Sequence, residues 1–206
     1  MPDLSLERKL QKSGFPVVAG IDEAGRGPLA GPVSVAAVIL PRGYRHKVLT
    51  DSKKLSEKKR EILYEEITNH SEIIWNSVLI DVAEIDQINI LQATWKGMRE
   101  SFSGLCRKAD IALIDGKPIK GFPGEHQAVV KGDSLSLSIA AASIIAKVER
   151  DRLMVKLANQ YPQYQFERHK GYGTKVHLEA LNQYGPTPIH RMSFSPVAMA
   201  ALKHKH

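Results

Sequence analysis

Asp22 and Glu23 stand side by side where an apolar run stops, and a Gly25-Arg26-Gly27 turn follows them. A second apolar run, Ile111-Ala112-Leu113-Ile114, also stops on an acid and a glycine, Asp115-Gly116. Asp133, in Lys131-Gly132-Asp133-Ser134, comes just ahead of a stretch of small apolar residues. Carboxylates gathered in one place repel, since two unit charges about 4 Å apart interact by roughly 4 kcal/mol at an effective dielectric near 20. Such a group needs protons or cations, and an all-oxygen ligand set suits hard divalent ions. No thiol or imidazole cluster competes for a softer metal, so Zn²⁺ is not expected. Four carboxylates at one edge suit two Mg²⁺ or Mn²⁺ ions about 3.5–4 Å apart, a clamp for in-line displacement at phosphorus.

These acids meet only if the elements carrying them are neighbours. An unbroken apolar run reads as a strand buried on both faces, which places the run before Asp22 in mid-sheet. Strands are predicted at Phe15–Asp22, Val33–Leu40, Ile73–Ile80, Ile111–Asp115 and Gln127–Val130. Were the first and fourth parallel neighbours, Asp22 and Asp115 would share the carboxyl edge, the usual ligand crevice of open α/β sheets. Successive strand residues point to opposite faces, so Glu23 can join Asp22 only if it already lies in the turn. Each acid also has a structural alternative: Asp115 can start a turn before Gly116, and Asp133 can cap a helix.

Helical spacing fills the rest. Ser56 caps a predicted helix to about Asn69, with Ile62, Leu63 and Ile67 inward. Asn89 caps another, whose core face is Leu91, Trp95, Met98 and Phe102. A long helix from about Ser134 to Asn159 carries a small-residue face that lets a backbone approach a sheet closely. A last helix, about Thr174 to Tyr184, ends at Gly185-Pro186. The short Gly27–Pro32 link allows only antiparallel pairing of the first two strands, so the reading is α/β with a mixed sheet. Gly25-x-Gly27-x-x-Ala30 imitates a dinucleotide fingerprint, but Pro28, Gly31 and Pro32 lead into β-branched residues where that fold requires a helix. Nucleotide-cofactor binding is set aside.

The composition is compatible with such a fold. The chain has 206 residues, enough for one domain or one with an appended piece. One cysteine, Cys106, excludes an internal disulfide and suits a reducing compartment, where its expected role is that of a half-buried hydrophobe. No signal-peptide pattern and no transmembrane run is present, which points to a cytoplasmic protein without membrane association. Lys plus Arg outnumber Asp plus Glu by 29 to 22, and the excess suits a polyanionic partner. Lys203-His204-Lys205-His206 adds positive charge on a tail expected to fray.

Taken together, the motifs resemble bacterial ribonuclease HII, the type 2 ribonuclease H family, over nearly the whole chain. The match rests on Gly20-Ile21-Asp22-Glu23-Ala24-Gly25-Arg26-Gly27-Pro28-Leu29-Ala30-Gly31-Pro32 and Asp51-Ser52-Lys53-Lys54-Leu55. It continues through Ile114-Asp115-Gly116, Lys131-Gly132-Asp133-Ser134 and the run Ile139 to Lys147. It closes with His169-Lys170-Gly171-Tyr172-Gly173-Thr174 and Gly185-Pro186-Thr187-Pro188-Ile189-His190-Arg191.

The resemblance implies a ribonuclease H-like fold, a five-stranded mixed sheet flanked by helices with a C-terminal helical extension. Residues 14–160 would form the catalytic core and 161–206 an extension contributing to substrate binding. It implies endonucleolytic cleavage of RNA in RNA–DNA hybrids and incision 5′ of single ribonucleotides in duplex DNA, leaving 3′-hydroxyl and 5′-phosphate ends. Asp22, Glu23, Asp115 and Asp133 match the family's catalytic, metal-binding acids, which would hold two Mn²⁺ or Mg²⁺ ions. Gly25, Arg26 and Gly27 match the turn that contacts the 2′-hydroxyl, and Tyr172 the tyrosine that touches it and stacks on the adjoining deoxyribose. Without the resemblance, Tyr172 reads as a ring anchoring a glycine-flanked loop.

Lys53 and Lys54 are the first candidates for phosphate contacts, with Lys170 and Arg191 behind them. Lys58-Lys59-Arg60 reads as a solvated face. His169 and His190 read as satisfying local hydrogen bonds, and Asp51 as a turn residue. A monomer with no obligate protein partner is expected. Two other readings compete: a resolvase- or transposase-like nuclease on the same fold, and a non-catalytic basic nucleic-acid-binding module with structural acids.

Overall fold

The two apolar runs that end on acids are neighbouring strands. In the computed structural model, which describes residues 1–204, β1 (Val18–Ala24) pairs antiparallel with β2 (Val33–Ile39) and parallel with β4 (Ile111–Asp115). β3 (Ile74–Ile80) extends the sheet antiparallel beside β2, and β5 (Glu125–Val129) extends it parallel beside β4. The order is β3-β2-β1-β4-β5, a five-stranded mixed sheet with β1 central. Its inner strands are apolar on both faces because both faces are covered. β5, at the rim, instead alternates between exposed and covered residues.

α3 (Val82–Ser103) and α4 (Leu137–Gln160) cover the opposite faces. Ala19, Ile21, Val35, Ala37, Ala112 and Ile114 pack with Met98 on the α3 side. On the other side α4 lies almost against the strand backbone, and a Cβ on Gly20 would come within 2.2 Å of the Ser138 carbonyl carbon. That approach explains the small residues: Ala140, Ala141, Ala142 and Ala146 are buried where larger side chains would hold the layers apart. Ser136 caps α4 through the Ile139 N–H (3.2 Å).

Sequence reasoning missed the helix α1 (Ser5–Lys12), which docks at the same helix end. The buried Glu7 carboxylate there accepts from Ser136 Oγ (2.6 Å) and the Ser138 N–H (3.0 Å).

Several boundaries differ from those predicted. β1 starts at Val18 rather than Phe15 and runs past Asp22 to Ala24. α2 (Glu57–Thr68) has its expected Ser56 cap and buries Leu63 and Ile67, but Ile62 faces solvent. α3 begins earlier than expected, at an Asp81 cap, and kinks at Asn89 (φ 67°, ψ 161°). Asn89 caps the second segment as expected, its Oδ1 accepting from the Leu91 and Gln92 N–H groups. Leu91, expected on the core face, is 41% exposed. Cys106 is exposed, not half-buried.

The C-terminal part holds more helix than predicted. After α4 come α5 (Phe166–His169), α6 (Lys175–Tyr184) and α7 (Ser195–Lys203). Thr174 caps α6 and Gly185 ends it, but α6 is not the last helix. Pro196 opens α7, a position where its missing N–H is harmless. Lys203 and His204 bond to Asn182 (3.2 and 3.0 Å), so they are docked rather than frayed; Lys205 and His206 lie outside the described residues. This part packs Tyr164, Phe166, Leu181 and Val197 on Met154 of α4 and on Leu29 and Ala30. The link between β1 and β2 is thus held from behind. Main-chain bonds from Leu29 to Gly171, Gly31 to Ile189 and Arg191 to Leu29 (2.8, 2.8 and 2.9 Å) fix it there. Among the described residues no helix is long and apolar enough to cross a membrane.

Candidate active site

Strand register decides which acids meet. Ile21 pairs with Ile114, so Asp22 and Asp115 follow as the next step on adjacent parallel strands, about 4.8 Å apart. Val18 and Gly20 face α4, as do Ile111 and Leu113, so the period of two sends Asp22 and Asp115 to that same face. Asp133 lies in the one-turn helix Gly132–Ser134 that feeds α4. The Gly132 N–H donates to Asp115 Oδ1 (2.6 Å), tying this turn to the sheet edge. Glu23 differs from expectation. It is still in β1, paired with Val35, and therefore starts on the opposite, α3-side face. Its carboxylate sits at the rim, where Arg26 Nη1 donates to Oε1 (3.2 Å).

The electrostatics record the crowding. Burial raises the Asp22 pKa well above the ordinary carboxylate range; Glu23, Asp115 and Asp133 add to this, against one bond from the Glu23 N–H. Burial also raises Glu23, and Asp115 adds to it, while Arg26 and Lys53 oppose. Asp133 is raised by burial, then by Asp51 and Asp115. Burial alone would lower the Lys53 ammonium, but the pull of Asp22, Asp133, Asp51 and Asp115 outweighs it and leaves its pKa raised. Lys53 is the cation these acids share.

Among the described residues, no three His, Cys, Asp or Glu side chains are gathered closely enough to hold an ion as they stand. Three of the acids have other partners: Asp22 and Asp115 accept from backbone N–H groups and Glu23 from Arg26. The residues nevertheless fit a hard cation. Glu23 Oε2 is buried without any partner, and a buried anionic oxygen left that way is costly. Asp51, read as a turn residue, does accept from the Lys53 N–H (2.9 Å), yet it also faces Asp133.

Beside the acids opens a cleft of about 220 Å³ lined by Glu23, Gly25, Arg26, Gly27, Lys53 and Tyr172, together with Ser52 and Lys147. Gly25, Arg26, Gly27, Tyr172 and Lys53 of the expected substrate-side residues therefore meet in one place. Gly25 takes φ +95°, a left-handed conformation open to glycine, and a Cβ there would strike Arg150 Nε at 2.0 Å. Tyr172 is 43 % exposed, its ring beside Gly27 and 5.9 Å from the Lys147 ammonium. Lys54 points to Ser134 Oγ (3.3 Å), next to Asp133 rather than into the cleft.

The remaining cations sit elsewhere than sequence suggested. Lys170 and Arg191, expected near phosphate, are both buried. Arg191 donates to the carbonyls of Gly25, Arg26, Gly31 and Pro32, and Arg150 to those of Ala30, Pro32 and Lys170. His169 and His190 make local bonds, as expected. His177 Nδ1 must donate to the Tyr172 carbonyl (2.9 Å), so its Nε2 accepts from His190 Nε2 (3.0 Å). His190 Nδ1 in turn accepts from the Thr187 N–H (2.9 Å), which makes a chain of neutral imidazoles behind Tyr172. Sequence reasoning missed Lys147, Arg150 and His177. Only the spacing of Lys147 and Asp151, four apart and ion-paired at 2.8 Å, offered a signal.

Comparison with known proteins gives a consistent picture. The family model described as Ribonuclease HII matches residues 19–197. Ribonuclease HII of Acholeplasma laidlawii is 53% identical over 196 residues, covering 95% of this chain and 96% of that one. The crystal structure of ribonuclease H2 from Pyrococcus horikoshii superposes with a TM-score of 0.76 at 26% identity, covering 92% of this chain and 99% of that one. Bst ribonuclease HIII, crystallised in complex with Mn²⁺, gives 0.70 at 18% identity over 92% of this chain and 70% of that one, a likeness of fold.

Proposed function

The chain belongs to the ribonuclease HII family and is a ribonuclease H hydrolase, and from that premise we propose that it cuts RNA in RNA–DNA hybrids and incises duplex DNA 5′ of single ribonucleotides. Phosphodiester hydrolysis would leave 3′-hydroxyl and 5′-phosphate ends. One observation carries the reading: Glu23, at the acidic edge, also lines the cleft formed by Gly25, Arg26, Gly27 and Tyr172. A ribonucleotide read in that cleft has its phosphate beside the carboxylates.

Each residue then has a role. Asp22, Glu23, Asp115 and Asp133 hold the ions, their mutual repulsion being what the ions relieve. When bound, two divalent ions, Mn²⁺ or Mg²⁺, supply Lewis acidity toward phosphate and lower the pKa of the attacking water. Lys53 neutralises the acids in their absence and holds phosphate once they are filled. Telling a ribonucleotide from its neighbour requires contact with the 2′-hydroxyl. The Gly25–Gly27 backbone supplies that contact, and Tyr172 touches the same hydroxyl while stacking on the next deoxyribose. Lys54, on the rim, adds a phosphate contact. Residues 14–160 serve as the catalytic core and 161–206 as the substrate-binding extension, in a cytoplasmic monomer acting in replication and repair.

The test is a divalent-dependent assay on duplex DNA with one ribonucleotide, with Asp22→Asn as control. A single nick 5′ of the ribonucleotide, absent with the variant and with all-DNA duplex, is the expected result. Equal cutting of all-DNA duplex would overturn the reading in favour of another nuclease, and binding without any cutting would favour a non-catalytic module.

A further inference from the structure

Arg191 is an unusual cation because no bond it donates goes to a carboxylate. Its Nη2 donates to the Gly25 carbonyl (2.6 Å) and its Nη1 to the Arg26 carbonyl (2.9 Å). Nε and Nη2 hold the Gly31 and Pro32 carbonyls (2.9 and 3.1 Å), and the side chain has no solvent exposure. Burial, with Arg150 nearby, lowers its pKa to about 9, which leaves it charged at neutral pH. Arg150 braces the link from a second side, its Nε on the Pro32 carbonyl (2.9 Å).

Peptide geometry links this buried contact to the cleft. All peptide bonds among the described residues are trans, and a trans peptide points its N–H opposite to its C=O. With the carbonyls of Gly25 and Arg26 drawn in to Arg191, the N–H groups of Arg26 and Gly27 turn the other way. Neither finds an acceptor among the described residues, and both residues line the cleft with Tyr172. Consecutive N–H groups so aimed form a small concave donor site.

We propose that Arg191 is a positioning residue for ribonucleotide recognition: it fixes two peptide planes so that the Arg26 and Gly27 N–H groups donate to the 2′-hydroxyl oxygen. The inference rests on the function proposed above and adds the group that sets the reading geometry. A lysine would keep the charge but could not span several carbonyls from one planar fork.

The experiment compares wild type with Arg191→Lys, using duplexes with and without one ribonucleotide, in the absence of divalent ions. In wild type the ribonucleotide duplex should shift the Arg26 and Gly27 amide resonances and slow their hydrogen exchange, and the all-DNA duplex should not. Arg191→Lys should lose about tenfold of its preference for the ribonucleotide duplex, as expected for a lost hydrogen bond, with all-DNA binding unchanged. A folded Arg191→Lys with its preference intact would overturn the proposal. If the variant does not fold, the wild-type amides decide alone, and their indifference to the ribonucleotide overturns it. Failure of the functional reading looks different: wild type itself would then neither prefer nor cut the ribonucleotide duplex.

Discussion

Two groups of buried charge flank the Gly25–Pro32 link, and they are satisfied in opposite ways. On one side Asp22, Glu23 and Asp133 are held above their ordinary pKa by burial and by neighbouring acids, and Glu23 Oε2 has no partner. On the other, Arg150 and Arg191 give their donors to main-chain carbonyls, and His177 and His190 close a chain of neutral bonds. A buried charge whose partners are fixed dipoles rigidifies what it touches. Charges that repel one another are stable only with something added. The arginine and histidine side builds a frame, and the acidic side is suited to a cationic ligand.

Asp22→Asn tests that contrast most strongly. Cleavage should fall by about a thousandfold or more if Asp22 holds an ion as proposed. Metal-free stability should move the other way. A carboxyl with a raised folded pKa stabilises the fold below its unfolded pKa and loses that contribution as pH rises through the folded value. As pH rises through that window Asp22 therefore becomes a burden that asparagine removes, and the melting temperature of the variant should exceed that of wild type there. A fall in both activity and melting temperature would place Asp22 in the frame instead.

The His177–His190 pair should show the reverse pH response. Burial lowers the two to about 4 and about 3, the nearby His169 and His177 charges adding to it respectively. Their contribution is present above the unfolded value near 6.5 and is lost as pH falls toward 3. Thermal melts of metal-free protein from pH 8 to pH 4 should thus show acid loosening of the extension opposed by relief at the acidic edge. Amide exchange that accelerates first around Tyr172 and Thr187 would locate the former. Uniform acceleration across β1 and β4 would count against the assignment.

The acidic edge was largely legible in sequence, and the frame was not. An apolar run ending on an acid marks a strand and its edge, so Asp22 and Asp115 meet once the two strands are parallel neighbours, as they are. The small residues of α4 likewise announce a close approach, which Gly20 meets. Glu23 lies in the turn only if β1 stops at Asp22, and nothing local stops a strand whose pairing with Val35 is decided by β2. Arg150 and Arg191 were not legible because sequence gives a charge but not its burial, and their partners are carbonyls from the distant Gly25–Pro32 link and from Lys170. α1 and α7 escaped because each is short, only eight and nine residues, so that docking must stabilise its helicity.

Tyr172 touches both groups, its ring at the cleft and its carbonyl held by His177. Tyr172→Ala should reduce cutting at single ribonucleotides by about tenfold to a hundredfold, the range for losing a stacked ring and a hydrogen bond. Divalent-ion affinity, read by the thermal shift on adding Mn²⁺, should stay as it is. Tyr172→Phe separates the two contributions, retaining the stack and losing the hydroxyl. Equal loss of cutting and of ion binding in the alanine variant would mean that the ring supports the acids rather than reads the sugar.

Lys53 and Lys54 sharpen the comparison at its weakest point, because adjacent lysines fall on different sides of it. Lys53 feels Asp22, Asp133, Asp51 and Asp115, whereas Lys54 is 61% exposed and 4.0 Å from Asp51, a pair that solvent screens. Lys54→Ala should leave the thermal response to divalent ions alone and lower the salt slope of duplex binding by about one, for one phosphate contact. At physiological salt this would weaken binding by about threefold, equally for ribonucleotide and all-DNA duplexes. Lys53→Ala should lower the salt slope similarly, but it also removes the cation that the acids share. Metal-free stability should then fall, and added Mn²⁺ should restore more of it than in wild type. Identical behaviour of the two variants toward Mn²⁺ would show that Lys53 is an ordinary surface cation, and the acids would need another source of compensation.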